Sequence, residues 1–121
     1  MKKEIKEIIK KLKEYPNVMA IILFGSYAKG EEKPLSDIDI AVLIKNPDKL
    51  IEAEVASLSS NFLDVVNFHK LPLYIQFEVF KYGKPLYVRD KNFFTYLKWK
   101  TMRDYLEMSY IYKRLAEKIL K

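Results

Sequence analysis

A short, wholly apolar run that stops at a glycine constrains the fold of this chain more than any other feature. Val18–Phe24 (VMAIILF) contains no polar side chain, as is typical of a strand buried on both faces. Gly25–Ser36 then interrupts the pattern with two glycines, a proline and several charges, and Asp37–Ile44 (DIDIAVLI) returns to alternating β-branched residues. We therefore predict two strands of one sheet, joined by the intervening loop.

The remaining elements are predicted from apolar periodicity and from the positions of proline and glycine. They are a helix over residues 2–14, a helix from Asn46 (the N-cap, with Pro47 in the first turn) to about Ser59, a strand over 62–68, a helix from Pro72 to about Tyr82, a brief edge strand over 85–88 and a long helix from Asp90 onward. This alternation predicts an α/β fold in which helices pack on a small sheet. It leaves the order of the strands open.

Composition limits the class of protein. The 121 residues suit one domain, residues 1–121, and a chain that is half hydrophobic can bury a core, which excludes intrinsic disorder. Cysteine is absent, which excludes a disulfide scaffold, a thiolate zinc site and a cysteine nucleophile. No apolar run reaches the roughly 18 residues of a membrane span, and the N-terminus does not resemble a signal peptide. We expect a cytoplasmic protein that does not enter a membrane.

Positive charge is concentrated near the C-terminus. Residues 81–121 hold 11 Lys and Arg against 4 Asp and Glu, a net charge of +7, whereas residues 1–80 have a net charge of −1. Such a region suits a nucleic acid, a nucleoside triphosphate or an acidic protein, and a solvated helix face explains it equally well. We do not expect direct binding of nucleic acid.

The predicted terminal helix is apolar on two sides. One stripe comprises Phe94, Leu97, Tyr105, Met108, Tyr112, Leu115 and Ile119, and the other comprises Trp99, Met102, Leu106 and Tyr110. We expect the first stripe to pack on the sheet. The second, flanked by Lys and Arg, has the composition of a protein interface, with a partner or with a second copy of the chain. Deeper burial within its own domain is the alternative.

Three aspartates suggest a metal site. Asp37 and Asp39 are two residues apart on a predicted strand, so they point to the same face. Two carboxylates placed together repel each other unless a cation lies between them, and Mg²⁺ prefers oxygen ligands that it shares with phosphates. Asp64, the acidic residue of the third predicted strand, would complete the site. Its apolar neighbours would make its charge costly unless it bound something; the alternative is a strand-end residue that reaches water.

Gly25 and Ser26 follow the first strand directly. A glycine allows the backbone to approach a phosphate closely, and the Ser26 hydroxyl adds a donor. By itself, a strand followed by Gly-Ser is an ordinary turn. The combination of this turn with Asp-x-Asp on the next strand predicts a phosphate-binding metal site.

The stretch FGSYAKGEEKPLSDIDIAV, residues 24–42, resembles the signature of the polymerase-β-like nucleotidyltransferase superfamily, and most closely its minimal nucleotidyltransferases. Residues 64–90 are similar to the corresponding block of MntA-type antitoxins, in which an Asp-Val-Val strand leads to a proline-started helix and a Gly-x-x-Leu-Tyr turn. The resemblance covers most of the chain. It implies a nucleotidyltransferase fold with a small mixed sheet of three to four strands and a long C-terminal helix.

The resemblance also implies Mg²⁺-dependent transfer of AMP from ATP to a hydroxyl. Asp37, Asp39 and Asp64 match the residues that bind two metal ions, with Asp64 as a proton acceptor, and Gly25 and Ser26 match the triphosphate-binding turn. In such families the acceptor is a tyrosine of a cognate HEPN-domain RNase toxin, and the transfer silences that toxin. Lys29 stands where an arginine is common; it keeps the charge but loses the bidentate geometry.

Two other functions are compatible with the same residues. One is nucleotidyl transfer to a small molecule, although relatives with that activity usually carry a second domain that holds the acceptor. The other is a binding protein that neutralises a toxin by contact alone. Binding assays with the three aspartates substituted would separate contact from catalysis. His69, the single histidine, has no predicted metal or catalytic partner and is expected to be structural or to lie on a loop surface.

Overall fold

The structure, a computed structural model, describes residues 2–25 and 38–120. These residues form α1 (Lys2–Lys13), β1 (Val18–Phe24), β2 (Ile38–Ile44), α2 (Lys49–Ala56), β3 (Leu63–Asn67), a 3-10 turn (Phe68–Lys70), α3 (Leu73–Tyr82), β4 (Lys84–Val88) and α4 (Lys91–Leu120). Each predicted helix and strand is therefore present in the described ranges, with bounds that differ by a few residues. Residues 26–37, which include Asp37 at the predicted start of the second strand, lie outside them.

The four strands form one mixed sheet in the order β3-β2-β1-β4. β1 is antiparallel to both β2 and β4, whereas β2 and β3 are parallel. The parallel pair is joined through α2, the kind of crossover that parallel neighbours require. The predicted α/β fold with a small mixed sheet is confirmed, and β4 lies at an edge as predicted.

Apolar side chains cover both faces of the sheet, as the continuous apolar run in β1 predicts. On the first face, Ile38 and Ile40 of β2 pack in a cluster with Leu12 of α1 and Val55 of α2. The second face is packed by the small and aromatic side chains of another cluster, which comprises Ala20, Ile22, Ala41, Leu43, Phe68, Val79 and Phe80. α3 and α4 lie on this second face. Because successive residues of a strand alternate between faces, Asp39 belongs to the face that carries α3 and α4.

The start of α2 differs from the prediction. Asp48, not Asn46, is the N-cap: its side-chain Oδ1 accepts a hydrogen bond of 2.8 Å from the backbone N–H of Ile51. Pro47 lies before the helix, which ends at Ala56 rather than near Ser59. Asn46 instead has a positive φ of 52°, a left-handed conformation that Asn tolerates better than most residues. The negative charge of Asp48 also suits the positive end of the helix dipole.

The two stripes predicted on α4 are divided along the length of the helix as well as between its faces. Phe94 and Leu97 of the first stripe pack on the second face of the sheet, and the Tyr105 ring stacks on Phe77 of α3 with 4.0 Å between ring centroids. The same stripe is exposed further on, at Tyr112, Leu115 and Ile119. A helix of 30 residues is about 45 Å long, roughly twice the length of a seven-residue strand, so its last turns extend beyond the sheet.

Met102 differs from the prediction, which places it on the stripe that faces away from the sheet. It is partly buried against the cluster on the second face. Trp99, Leu106 and Tyr110 of that stripe are exposed, as predicted. Among the described helices, none combines the length and the hydropathy that crossing a bilayer requires.

Candidate active site

A row of three residues crosses the sheet at the end where β1 stops and where β2 and β3 begin. Asp39 of β2 pairs with Phe24, the last residue of β1, and also with Asp64 of β3. Paired residues on neighbouring strands share a face, so both carboxylates belong to the face that carries α3 and α4. Phe24 packs on the cluster of that face, which supports this assignment. The fold therefore brings two of the three predicted aspartates to adjacent positions.

Gly25 follows β1 directly and lies against the Asp39 carboxylate. Its φ is +82°, in the left-handed region that side chains disfavour. A Cβ atom at this position would overlap Asp39 Oδ2. Glycine is thus required for the turn and also for the close approach between the turn and the carboxylate. The predicted turn and one predicted metal ligand are in direct contact.

Asp64 is solvent-exposed on β3, the edge strand next to β2. Its neighbours Leu63 and Val65 are buried on the opposite, first face. The expectation that apolar neighbours make the charge of Asp64 costly is therefore wrong, because alternation along the strand separates it from them. Its exposure leaves it accessible to a substrate, and its pairing with Asp39 is the observation that connects it with the site.

A cleft of about 390 Å³ runs along the outer edge of β3 and has Asp64 on its wall. Ser59 closes part of this strand edge: its Oγ accepts a hydrogen bond from Val65 N (2.9 Å) and donates one to Val65 O (3.3 Å). The Lys70 ammonium lies 3.1 Å from Glu52 on the same cleft. Sequence reasoning missed these lining residues, because only the packing of α2 beside β3 brings them next to Asp64.

The donor set fits a hard divalent cation. Asp39 and Asp64 contribute carboxylate oxygens, the ligands that Mg²⁺ prefers, at adjacent positions of one face. Within residues 2–25 and 38–120, no three His, Cys, Asp or Glu side chains form a group that could hold a metal. Asp37, Ser26 and Lys29 lie outside this range, so the roles of these residues remain predictions.

At the opposite end of β2, His69 has a structural contact. Its Nε2 accepts a hydrogen bond of 3.1 Å from the backbone N–H of Ile44, and Asn67 Oδ1 accepts one of 3.0 Å from the backbone N–H of His69. Burial lowers the pKa of His69 below its ordinary value, and the negative charge of Glu52 opposes part of that change. A neutral ring is the form that can accept the Ile44 hydrogen bond. This agrees with the structural role expected for His69.

Fold and sequence together define the class of protein. The family model described as "Polymerase beta, Nucleotidyltransferase" matches residues 6–92, which is more than half of the chain. This chain therefore belongs to the polymerase beta nucleotidyltransferase family, a family of enzymes. The matched range contains Asp39, Asp64 and Gly25.

Particular relatives are similar over shorter or more divergent stretches. Two proteins of Methanocaldococcus jannaschii, both named "putative protein adenylyltransferase", are 46% identical over 67 residues (51% of this chain, 78% of theirs) and 34% identical over 90 residues (70% and 72%). A solved complex of a tri-AMPylated Shewanella oneidensis HEPN toxin with its MNT antitoxin contains a chain that is 25% identical, with a TM-score of 0.71 and coverage of 99% and 98%. A chain in a solved mutant MntA toxin–antitoxin complex is 28% identical, with a TM-score of 0.72 and coverage of 96% of this chain and 97% of its own length.

Proposed function

We propose that this chain transfers AMP from ATP to a protein hydroxyl, a tyrosine of a cognate HEPN-domain toxin, and thereby acts as an antitoxin. One observation carries the proposal: the Gly25 turn touches the Asp39 carboxylate, and Asp64 is paired beside it, at one end of a nucleotidyltransferase sheet. Membership of the family supports nucleotidyl transfer. The names of the relatives and of the solved complexes support a protein as acceptor and a toxin as that protein.

In this proposal the three aspartates hold two Mg²⁺ ions. Asp37 and Asp39 would hold one ion, and Asp64 would take part in holding the second. Bound Mg²⁺ supplies positive charge that offsets the charge developing on the pyrophosphate leaving group. Because this class of transfer depends mainly on positioning and electrostatics, removal of one carboxylate should abolish most of the activity.

The turn after β1 receives the triphosphate. At Gly25 the chain has no side chain between the backbone and the Asp39 carboxylate, so phosphate oxygens can approach both. Ser26 adds a hydroxyl donor, and Lys29 adds a positive charge next to the phosphates. Oriented backbone N–H groups in such a turn favour an anion.

Asp64 accepts the proton of the attacking hydroxyl. Its exposed position on the cleft lets a side chain that enters along β3 reach its carboxylate. The acceptor oxygen then forms the bond to the α-phosphorus while the bond to pyrophosphate breaks, and the proton passes to Asp64. The exposed edge of β3 is thus assigned to the acceptor and the Gly25 side to the nucleotide.

The direct test uses ATP labelled in the α-phosphate, Mg²⁺, this chain and a purified HEPN-domain protein from the same organism. We expect label on the HEPN protein, a mass increase of one or more AMP groups on tyrosine, and release of pyrophosphate. ATP labelled in the γ-phosphate should leave the protein unlabelled. Label from the γ-phosphate, or no label from either, would contradict the proposal.

The binding-only alternative is separated by the same components. Substitution of Asp37, Asp39 and Asp64 by Asn should leave the chain able to bind the HEPN protein but unable to silence its RNase activity. If the triple variant still silences the RNase at equal concentration, contact alone accounts for the antitoxin effect.

A further inference from the structure

The face of α4 opposite to the sheet presents aromatic and arginine side chains that no other described element covers. We name it the α4 stripe; it comprises Trp99, Arg103, Leu106, Tyr110 and Arg114. The relative solvent exposures of Trp99, Leu106 and Tyr110 are 59%, 62% and 61%. Spacings of three and four residues keep the five side chains on one side of the helix. Thr101, which is buried, lies on the other side.

The arginines of the α4 stripe lie over its aromatic rings. The Arg103 guanidinium is 4.6 Å from the centre of the Trp99 ring, and that of Arg114 is 5.8 Å from the Tyr110 ring. Asp104 also binds Arg103 at 3.0 Å. These contacts restrict both arginines before any partner arrives, which lowers the entropy that binding must offset. Trp, Tyr and Arg are the residues most enriched among interface positions that dominate binding energy.

Charge specifies the kind of occupant. Residues 81–121 have a net charge of +7, so two copies that met through this helix would bring like charges together. An acidic surface would be attracted instead. Tyr112, Leu115 and Ile119 are also exposed, but they continue the packed face of the helix without an arginine among them. The α4 stripe is therefore the part of the helix whose charge identifies a partner.

We propose that the α4 stripe docks an acidic protein surface that offers apolar pockets for Trp99, Leu106 and Tyr110, and that this surface belongs to the protein that accepts AMP. The identity of the partner rests on the proposed function. In this arrangement one region of the acceptor is held on α4 while another region enters the site at Asp39 and Asp64. Loss of the stripe should then weaken binding of the acceptor protein and leave the binding of ATP unchanged.

The test reverses the charge of the stripe with the double variant Arg103→Glu/Arg114→Glu. The matched control is Lys6→Glu/Lys10→Glu, which changes net charge equally on exposed positions of α1. Calorimetric affinity for the HEPN-domain protein, the KM and kcat of AMP transfer to it, and affinity for a fluorescent ATP analogue are measured for each. We expect the stripe variant to lose affinity for the protein by at least about tenfold, with a matching rise in KM, the control to change little, and the affinity for the analogue to stay constant.

The outcomes keep the two proposals apart. If AMP is transferred but the affinity and KM of the stripe variant equal those of the control, the docking proposal is overturned and the activity stands. If the wild-type chain binds the HEPN protein through the stripe but transfers no AMP, the activity fails and the docking surface stands. A wild-type dimer in analytical ultracentrifugation that the stripe variant abolishes would assign the surface to a second copy and overturn the acidic partner. Unchanged helical circular dichroism confirms that each variant is folded.

Discussion

The two ends of the sheet use their polar groups differently. At the end formed by Val18 and Ile44, Arg89 donates to the carbonyl of Val18 (Nε to O, 2.9 Å) and His69 accepts from the N–H of Ile44. These side chains connect separate elements of the fold. At the other end, Asp39 and Asp64 are paired on neighbouring strands, and the backbone turns sharply at Gly25.

This difference separates polar groups that stabilise the fold from polar groups that are placed to bind a ligand. Two adjacent carboxylates repel each other, and a left-handed turn limits the residue to glycine, so this arrangement does not favour folding by itself. A bound cation would offset the repulsion between the carboxylates. Substitutions at the Asp39 end should therefore reduce activity, and substitutions at the Ile44 end should reduce stability.

The largest expected effect is that of Asp39→Asn. The change keeps the shape of the side chain but removes the charge of a proposed metal ligand, so AMP transfer should fall by at least about 1,000-fold, equivalent to about 4 kcal/mol of transition-state stabilisation. Thermal denaturation should show a melting temperature equal to or above that of the wild type. The control is Asp48→Asn, which removes the same charge at an N-cap that Asn serves equally well. Near wild-type transfer by the Asp39 variant would refute the assigned role.

Gly25→Ala should reduce transfer by about 100-fold, because the new Cβ overlaps Asp39 Oδ2 and displaces the carboxylate. The left-handed backbone adds a loss of about 1–2 kcal/mol of stability. Gly83→Ala is the matched comparison, since its Cβ would overlap the backbone oxygen of Val79 and lie 2.6 Å from Ile22 Cγ2, and neither residue is a proposed ligand. Steady-state rates and urea denaturation should show that Gly25 affects activity more than stability and that Gly83 does the reverse. Equal profiles for the two variants would contradict the specific role assigned to Gly25 beside Asp39.

His69→Ala should lower the free energy of unfolding by about 1–3 kcal/mol, because the Ile44 N–H loses its acceptor in a partly buried position. AMP transfer at a temperature well below the melting point should stay within about twofold of the wild type, as for other substitutions outside the reacting groups. His69→Gln retains an acceptor oxygen and should recover part of the stability. A loss of transfer in a folded His69→Ala variant would show that this end of the sheet contributes to the chemistry.

The smallest effect is a dependence of stability on pH through the same histidine. Burial lowers the pKa of His69 from its ordinary value of 6.5, so the unfolded chain binds the proton at a higher pH than the folded chain does. Its contribution to stability is therefore complete above pH 6.5 and is lost as the pH falls through the folded pKa. Melting temperatures measured from about pH 7 to pH 5 should fall more steeply for the wild type than for His69→Gln. Parallel curves would contradict this assignment.

Much of the fold could be predicted from local sequence. The apolar run of β1 and the helical periodicity of α1 specify their elements without information from elsewhere in the chain. Asn46 and Asp48 are both good N-cap residues, and the prediction of Asn46 was wrong because its backbone turns left-handed before the N-cap of the helix at Asp48. The order of the strands depends on long-range pairing, which no local pattern contains.

The candidate site was predictable in its residue types but not in its full geometry. The two-residue spacing of Asp37 and Asp39 indicates a shared face, and the structure places Asp39 on the face opposite to Ile38 and Ile40. The pairing of Asp39 with Asp64 required the parallel register between β2 and β3. The exposure of Asp64 agrees with the alternative of a residue that reaches water, because its flanking apolar residues point to the other face.

The double hydrogen bond between Ser59 and Val65 has a consequence for how another chain can approach. The N–H and the C=O of Val65 are both hydrogen-bonded to Ser59 Oγ. An incoming peptide therefore cannot pair with β3 at Val65 and cannot extend the sheet there. An acceptor that reaches Asp64 must therefore be recognised through its side chain and through contacts elsewhere, whatever its own backbone conformation. The same two hydrogen bonds also protect β3, an edge strand beside the site, from edge-to-edge aggregation.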